Sequence, residues 1–405
     1  MDIADRGEDI GLMEPLLLSD GSREKAALAE LAFELGKKSA GFQRSLPAGI
    51  HKNLADLVRV MNCYYSNLIE EHHTHPVDIQ RALARDFSDD KKKRDLQREA
   101  VAHVEVQRWI DGGGLGGAAT TTHNLLEMHK RFCDLLPEDL LWVENPDTNE
   151  KLPVVGGQFR TTDVAVGCHI PVSAGAVPRF MARFEQVYSS LSPQETVLAA
   201  AAAHHRFAWV HPFPDGNGRV ARLMSHAMLM GSLDTGGLWS VSRGLARQVA
   251  EYKRLLAEAD LNRRNDLDGR GNLSTEALVN FSRFFLERCL DQVNFMEGLM
   301  QPDKLRQRIL QWAKEESVSR PWNSVMGMPI HEKSANLLEA ILYRGELPRS
   351  EVGEVLGVSD RTGRRVVSDL TGRGVLASES VVAPLRLAFP ATLAFSWMPG
   401  LFPEQ

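Results

Sequence analysis

Apolar side chains recur at helical spacing between residues 50 and 72, most clearly Leu54, Leu57, Val58, Met61, Tyr65 and Leu68. This pattern predicts an amphipathic helix, stopped by Pro76. A similar stripe predicts a helix over 24–40. The charged stretch 86–99, DFSDDKKKRDLQRE, opens a further helix running to Trp109 and reads as a solvated face. After a glycine-rich break at 111–117, helical patterns return at 122–136, 177–191, 193–207 and 219–230, then at roughly 245–262 and 275–314. Residues 151–172 differ: they are rich in valine and threonine, punctuated by glycine and free of a helical stripe, and predict a short hairpin. Beyond Pro321, helices are expected at about 333–344, 350–356 and 360–370, with a turn at 357–359 and strands after them.

The expected fold is therefore mainly α, with a helical core, one β-hairpin and a compact C-terminal module. The expected boundaries are an N-terminal helical region at 1–98, a core at 99–298, a connecting helix and linker at 299–330, and the module at 331–405. The length of 405 residues allows two or three packed units. With 43% hydrophobic and 25% charged residues, the chain has the composition of a globular protein with a sizeable core. Its net charge of −6 excludes a wholesale nucleic-acid coat or a polycationic membrane binder, while leaving room for one locally basic module.

Cys63, Cys133, Cys168 and Cys289 are too scattered for a CxxC motif and too few for a disulfide framework, which fits a reducing compartment. The first residues carry acidic groups where a signal peptide needs basic ones. The longest apolar run, 197–203, is far too short to span a bilayer. A soluble, cytoplasmic protein without a membrane partner is expected.

Several partial motifs lack their context. Gly112, Gly114 and Gly117 satisfy GxGxxG but follow a helical segment instead of a strand, so they read as a linker. Asp266 and Asp268 precede Gly269 as in a calcium loop, yet Arg264 and Thr275 stand where ligands are needed. His72, His73 and His75 cluster without HExxH or CxxC, and read as a helix-end group. His204 and His205 read as packing residues.

Residues 211–222, HPFPDGNGRVAR, are far more specific. Two glycines and an asparagine ahead of a helix leave backbone N–H groups without intrahelical partners, and these favour an anion. Arg219 and Arg222, three apart, share a face and add charge-assisted bonds to phosphate oxygens. Asp215 is a hard oxygen ligand suited to magnesium bound together with substrate phosphates. His211 supplies a base that titrates near neutrality.

This string resembles, residue for residue, the HxFx(D/E)GNGRxxR signature of the Fic family, whose typical members transfer AMP from ATP to a protein hydroxyl. The resemblance covers roughly residues 50–295: Gly157 to Pro171 is similar to the family's flap, and SVSRGLARQVAEYKRLL, containing Tyr252, to the stretch that completes the adenine pocket. It implies that His211 deprotonates a Ser, Thr or Tyr hydroxyl and that Asp215 holds Mg2+. Gly216, Asn217 and Gly218 would form the anion hole, and Arg219 and Arg222 would grip the distal phosphates. Glycine at 218 matches the nucleotidyl-transferring pattern; a kinase-like variant has lysine there. ATP is the implied substrate, and the protein target is unnamed, the chain itself included.

Ser66 to Glu70 resembles the family's inhibitory (S/T)xxxE(G/N) motif. The resemblance implies that Glu70 pairs with Arg222 and denies the γ-phosphate its partner, or that it orients a water to remove AMP from a modified protein. Glu71 departs from the pattern, which has glycine or asparagine at that position, and so a differently shaped helix end and a weaker brake are expected.

Residues 333–390 read as a winged helix-turn-helix. Ser350 and Ser359 can cap helices, Gly357 permits the turn, and Arg361, Arg364 and Arg365 form a basic face. DNA binding through residues 350–373 is one expectation and protein contact the other. The competing reading of the whole chain is a DNA-binding regulator whose Fic-like body senses nucleotide or modifies itself; a sensor, however, has no use for a base at 211.

Overall fold

The computed structural model describes residues 4–20, 22–144, 151–319 and 328–403. It is mainly helical, and its contacts group into two compact units: residues 1–40, 62–235 and 240–292 in one, residues 41–61, 236–239 and 293–405 in the other. Residues 41–61 thus group with the C-terminal part of the chain.

The first unit holds α3 (Pro76–Leu83), α4 (Lys91–Asp111), α5 (Thr122–Asp134), α6 (Val177–Tyr188), α7 (Pro193–Val210), α8 (Asn217–Leu233), α9 (Val241–Arg247) and α10 (Val249–Glu258), with most of α1 (Arg23–Ser45), the end of α2 (Ala48–Ile69) and most of α11 (Thr275–Leu299). α7 and α8 pack along each other at its centre, and α4, α5 and α6 close around them. The alanine run in α7 lets this happen: residues 199–203 are all buried, and so is nearly all of α8 up to Leu229. Phe180, Phe184, Phe207 and Phe213 are fully buried beside them, each contributing about 1.5–3 kcal/mol. α7 begins with a capping box, Ser192 and Glu195 bonding reciprocally, and with Pro193 in its first turn.

The expected hairpin at 151–172 is only partly realised. β1 (Trp142–Glu144) pairs antiparallel with β2 (Lys151–Pro153), placing Trp142 opposite Pro153. Residues 157–171 hold an isolated bridge, Val166 to His169, in place of paired strands. Gly157, Gly167 and Pro171 in that segment leave too few consecutive pairing positions. The helix expected over 275–314 is two helices, because Pro302 starts a new one, α12 (Pro302–Val318), near its N-terminus.

In the second unit α12 packs on α13 (Ser334–Arg344) and on the short α16 (Ala394–Trp397), where Trp312 meets Trp397 edge-on at 5.4 Å. α14 (Val352–Leu356) and α15 (Asp360–Gly372) follow, joined through Gly357 in the left-handed region, φ 57°, and Ser359, whose hydroxyl caps α15. β3 (Leu376–Ala377) pairs with β4 (Arg386–Leu387). Residues 49–53 pack into this unit. A Cβ on Gly49 would strike the Gly345 carbonyl, and Asn53 donates to the Leu387 carbonyl at 2.7 Å.

The cysteines are free, Cys168 exposed and the others buried. No described helix is long and apolar enough to cross a membrane.

Candidate active site

Residues 211–216 form the turn between α7 and α8. α7 ends where His211 adopts a left-handed conformation, φ 51°, ψ 62°. Asn217 then shapes the turn: its Oδ1 accepts from the Phe213 N–H at 2.9 Å, and its Nδ2 donates to the Phe213 carbonyl at 2.8 Å. The Asn217 side chain is thereby spent on the loop, and only its main-chain N–H is left to face a ligand. Gly216, φ 81°, starts α8 with no side-chain cap, and the first bond of the helix runs from Val220 N–H to the Gly216 carbonyl. The amides of Asn217, Gly218 and Arg219 precede it, so the uncapped helix end expected at this position is present.

His211 directs Nδ1 to the Ala208 carbonyl at 3.3 Å. A carbonyl only accepts, so the proton lies on Nδ1 and Nε2 keeps its lone pair. Burial first, then the neighbouring charges of Arg160 and His169, lower its pKa to about 4 against the pull of the Ala208 carbonyl and Asp215. The imidazole is thus neutral at physiological pH. The Asp215 side chain is exposed and makes no hydrogen bond or ion pair among the described residues.

The two arginines are buried and each meets a carboxylate. Arg222 donates from Nε to Ser66 Oγ at 2.8 Å, and from Nη2 to the Ser66 carbonyl at 3.2 Å and to Glu70 Oε1 at 2.5 Å. Burial works to raise the Glu70 pKa, but Arg222 outweighs it and holds the carboxyl below its ordinary value. Arg219 donates from Nη2 to Glu99 Oε2 at 2.8 Å and lies over the Phe132 ring at 5.1 Å, while its buried Nε has no partner. The same Glu99 oxygen meets His72 Nδ1 at 2.7 Å.

α2 ends immediately beside this cluster in a Schellman motif: His72 N–H bonds the Asn67 carbonyl and Glu71 N–H the Leu68 carbonyl. Glu71 takes the left-handed position, φ 63°, that glycine or asparagine favours. The helix end therefore keeps its shape despite the departure at 71. Glu70 stands against Gly218, where any Cβ would strike its Oε1.

Other expected residues have settled places. His204 donates from Nδ1 to Ser225 Oγ at 2.9 Å, and its Nε2 accepts from the Tyr252 hydroxyl at 2.8 Å. His205 meets Asp260 at 2.9 Å. Both histidines are fully buried packing residues. Tyr252 is buried too, its hydroxyl engaged by His204.

Sequence reasoning missed three residues at the site. Glu99 closes the charged run 86–99 but turns inward on the stripe of His103, Val106 and Ile110. His129 stacks on Phe213 at 3.9 Å and accepts from Gly157 N–H at 3.1 Å. Arg160 is buried against the His211 turn. Helical spacing could have pointed to Glu99, whereas nothing local marks the other two.

Residues 119–229 match the Fic/DOC family model. Two similar curated proteins are both called Protein adenylyltransferase Fic. That of Drosophila erecta is 28% identical over 48% of this chain and 38% of its own length, and that of Drosophila grimshawi is 29% identical over 46% and 38%. The chain thus spans well under half the length of these relatives. Among solved structures, a Fic family protein from Desulfovibrio desulfuricans G20 aligns with a TM-score of 0.50 at 18% identity, covering 89% of this chain and 95% of its own. Fic-1 from C. elegans aligns with a TM-score of 0.50 at 17% identity, covering 67% and 72%. Both likenesses concern the helical fold.

Proposed function

We propose, from the match of residues 119–229 to the Fic/DOC family model, that the chain is a nucleotidyltransferase moving AMP from ATP to a Ser, Thr or Tyr hydroxyl of a protein. One observation carries this reading: a single turn between two helices presents a neutral imidazole with a free Nε2 beside a helix start whose amides are uncapped. That combination suits proton removal from a hydroxyl next to a phosphate.

The phosphates of ATP dock on the amides of Asn217, Gly218 and Arg219. Arg219 offers its unpartnered Nε, and Arg222 offers its guanidinium once Glu70 has withdrawn. The target hydroxyl gives its proton to Nε2 of His211 as its oxygen bonds to the α-phosphorus. The bond from that phosphorus to the oxygen bridging to the β-phosphate breaks, and pyrophosphate leaves. Positioning and charge stabilisation do most of this work. A magnesium ion bound with ATP would supply charge neutralisation at the phosphates. Asp215 is the residue to hold it, since an exposed, unengaged carboxylate fits an ion that takes one or two carboxylates together with phosphates. Tyr252, its hydroxyl spent on His204, borders the adenine with its ring and not through a hydrogen bond of its hydroxyl. The target pairs with the main chain of residues 157–171.

Glu70 is the brake, and Ser66 seats the same arginine from the other side. Incubation with α-labelled ATP and magnesium tests this directly. Strong self-labelling by Glu70→Gly, little by wild type and none by Glu70→Gly/His211→Ala supports the reading; equal labelling with and without His211 defeats it.

A second activity would fit the C-terminal elements, where the order α14, a tight turn, α15 and the β3–β4 pair supports the reading of a winged helix. Arg361, Arg364 and Arg365 are exposed on α15, as a DNA-facing helix requires. Salt-sensitive binding of duplex DNA that disappears in Arg361→Ala/Arg364→Ala and survives His211→Ala supports it; no retention at low salt defeats it.

A further inference from the structure

We propose that Arg160 is the positioning residue that sets His211 against a target held by the flap; this rests on the reading of His211 as the base. Arg160 is 1% exposed, and its hydrogen bonds all end on main-chain carbonyls. Its own N–H donates to the Pro212 carbonyl at 2.8 Å, and Nε to the His211 carbonyl at 2.9 Å. Nη1 donates to the Thr162 carbonyl at 3.0 Å, and Nη2 to that of Val172. One side chain therefore joins the start of the flap, its far end and the turn that carries the base.

Among the described residues no carboxylate hydrogen-bonds to the guanidinium, and its ion-pair partner is a distant one. Asp163, half-exposed, stands 3.8 Å away. Burying a guanidinium without a close counterion is expensive, and an apolar side chain would fill the space without that cost. What the guanidinium adds is direction, since its planar fork fixes the carbonyls it bonds relative to one another. His211 needs such support, because a non-glycine residue holds a left-handed conformation only where its surroundings impose it.

The consequence is a division of labour. The anion-binding amides and Arg219 and Arg222 make no bond to Arg160. A target strand laid along residues 157–171, in contrast, is registered to His211 through it. Loss of Arg160 misplaces the base relative to the hydroxyl while leaving the nucleotide site in place.

The test compares Arg160→Met and Arg160→Lys in the Glu70→Gly background. For Arg160→Met, kcat falls about 100-fold, as misplacement of roughly an ångström does, while the ATP dissociation constant stays within about twofold. Arg160→Lys, which keeps the charge and part of the bonding, recovers some of that loss. A kcat within about threefold of the parent, or ATP affinity lost in step with kcat, overturns the proposal.

Hydrogen exchange on the unsubstituted chain decides the matter should either variant fail to fold or the parent fail to transfer AMP. Amides of 160–172 and 211–213 are expected to open together. A flap that exchanges freely while 211–213 stays protected overturns the proposal, whatever the chemistry of His211.

Discussion

Glu70 Oε1 lies 2.5 Å from Arg222 Nη2, on the guanidinium whose Nε is held by Ser66 Oγ at 2.8 Å. Ser66, in the last turn of α2, and Glu70, just past its end, therefore close on an arginine 156 and 152 positions away. On the proposed reading, the arginine that a phosphate would need is already bonded to a carboxylate of its own chain.

Removing that carboxylate should raise affinity for the nucleotide. Glu70→Gly is expected to bind ATP with magnesium roughly tenfold more tightly than wild type, on the scale of one charge-assisted hydrogen bond. Calorimetric titration measures it, and unchanged affinity would mean that the pair does not compete with phosphate.

Glu71 offers the opposite manipulation. It sits at φ 63°, where an L side chain is strained by about 1–2 kcal/mol and glycine is not. Part of the gain is offset by the entropy of the unfolded glycine, so Glu71→Gly should stabilise the protein by a few tenths to about 1 kcal/mol. A firmer helix end holds Glu70 in place, so basal self-modification should fall. Denaturant melts and labelling rates check both.

Asn217→Ala should remove two hydrogen bonds from the turn and leave the buried polar groups of Phe213 unpaired, costing about 2 kcal/mol. The damage reaches activity through the loop and the packing of Phe213. Lowered thermal stability and reduced kcat should appear together, and loss of ATP binding with full stability would contradict this role.

His72 adds a pH dependence. Its bond to Glu99 raises its pKa above the ordinary value, against the effects of burial and Arg219. A raised folded-state pKa means that the protonated form is the stabilised one. The contribution is complete below about 6.5, the unfolded value, and fades as pH climbs through the raised folded value. The stability difference between wild type and His72→Gln should therefore be largest near pH 6 and shrink towards pH 8. Melts across that range measure it, and a difference that grows with pH would reverse the assignment.

Much of the site was legible because its chemistry is local. The turn from His211 to Arg222 carries base, amides and cations within one short string, and helical spacing placed α7 and α8 on either side of it. Glu70 was legible as a motif, although the contact it makes is long-range. Glu99 was read as solvated because it closes a charged run that holds Lys91, Lys92 and Lys93, which are exposed; the stripe it shares with His103 was the contrary signal. Arg160 carries no such mark, since its partners are carbonyls, which every residue has. The flap read as a hairpin because valine and threonine favour strands, but the extended segment found no partner beyond one bridge.

The most direct test is a paired labelling of Glu70→Gly with ATP carrying label at the α- or the γ-phosphate. Attack on the α-phosphorus predicts that α-label becomes covalently attached to protein, while γ-label leaves entirely as pyrophosphate. Protein labelled from the γ-phosphate, or from neither, would contradict nucleotidyl transfer at His211.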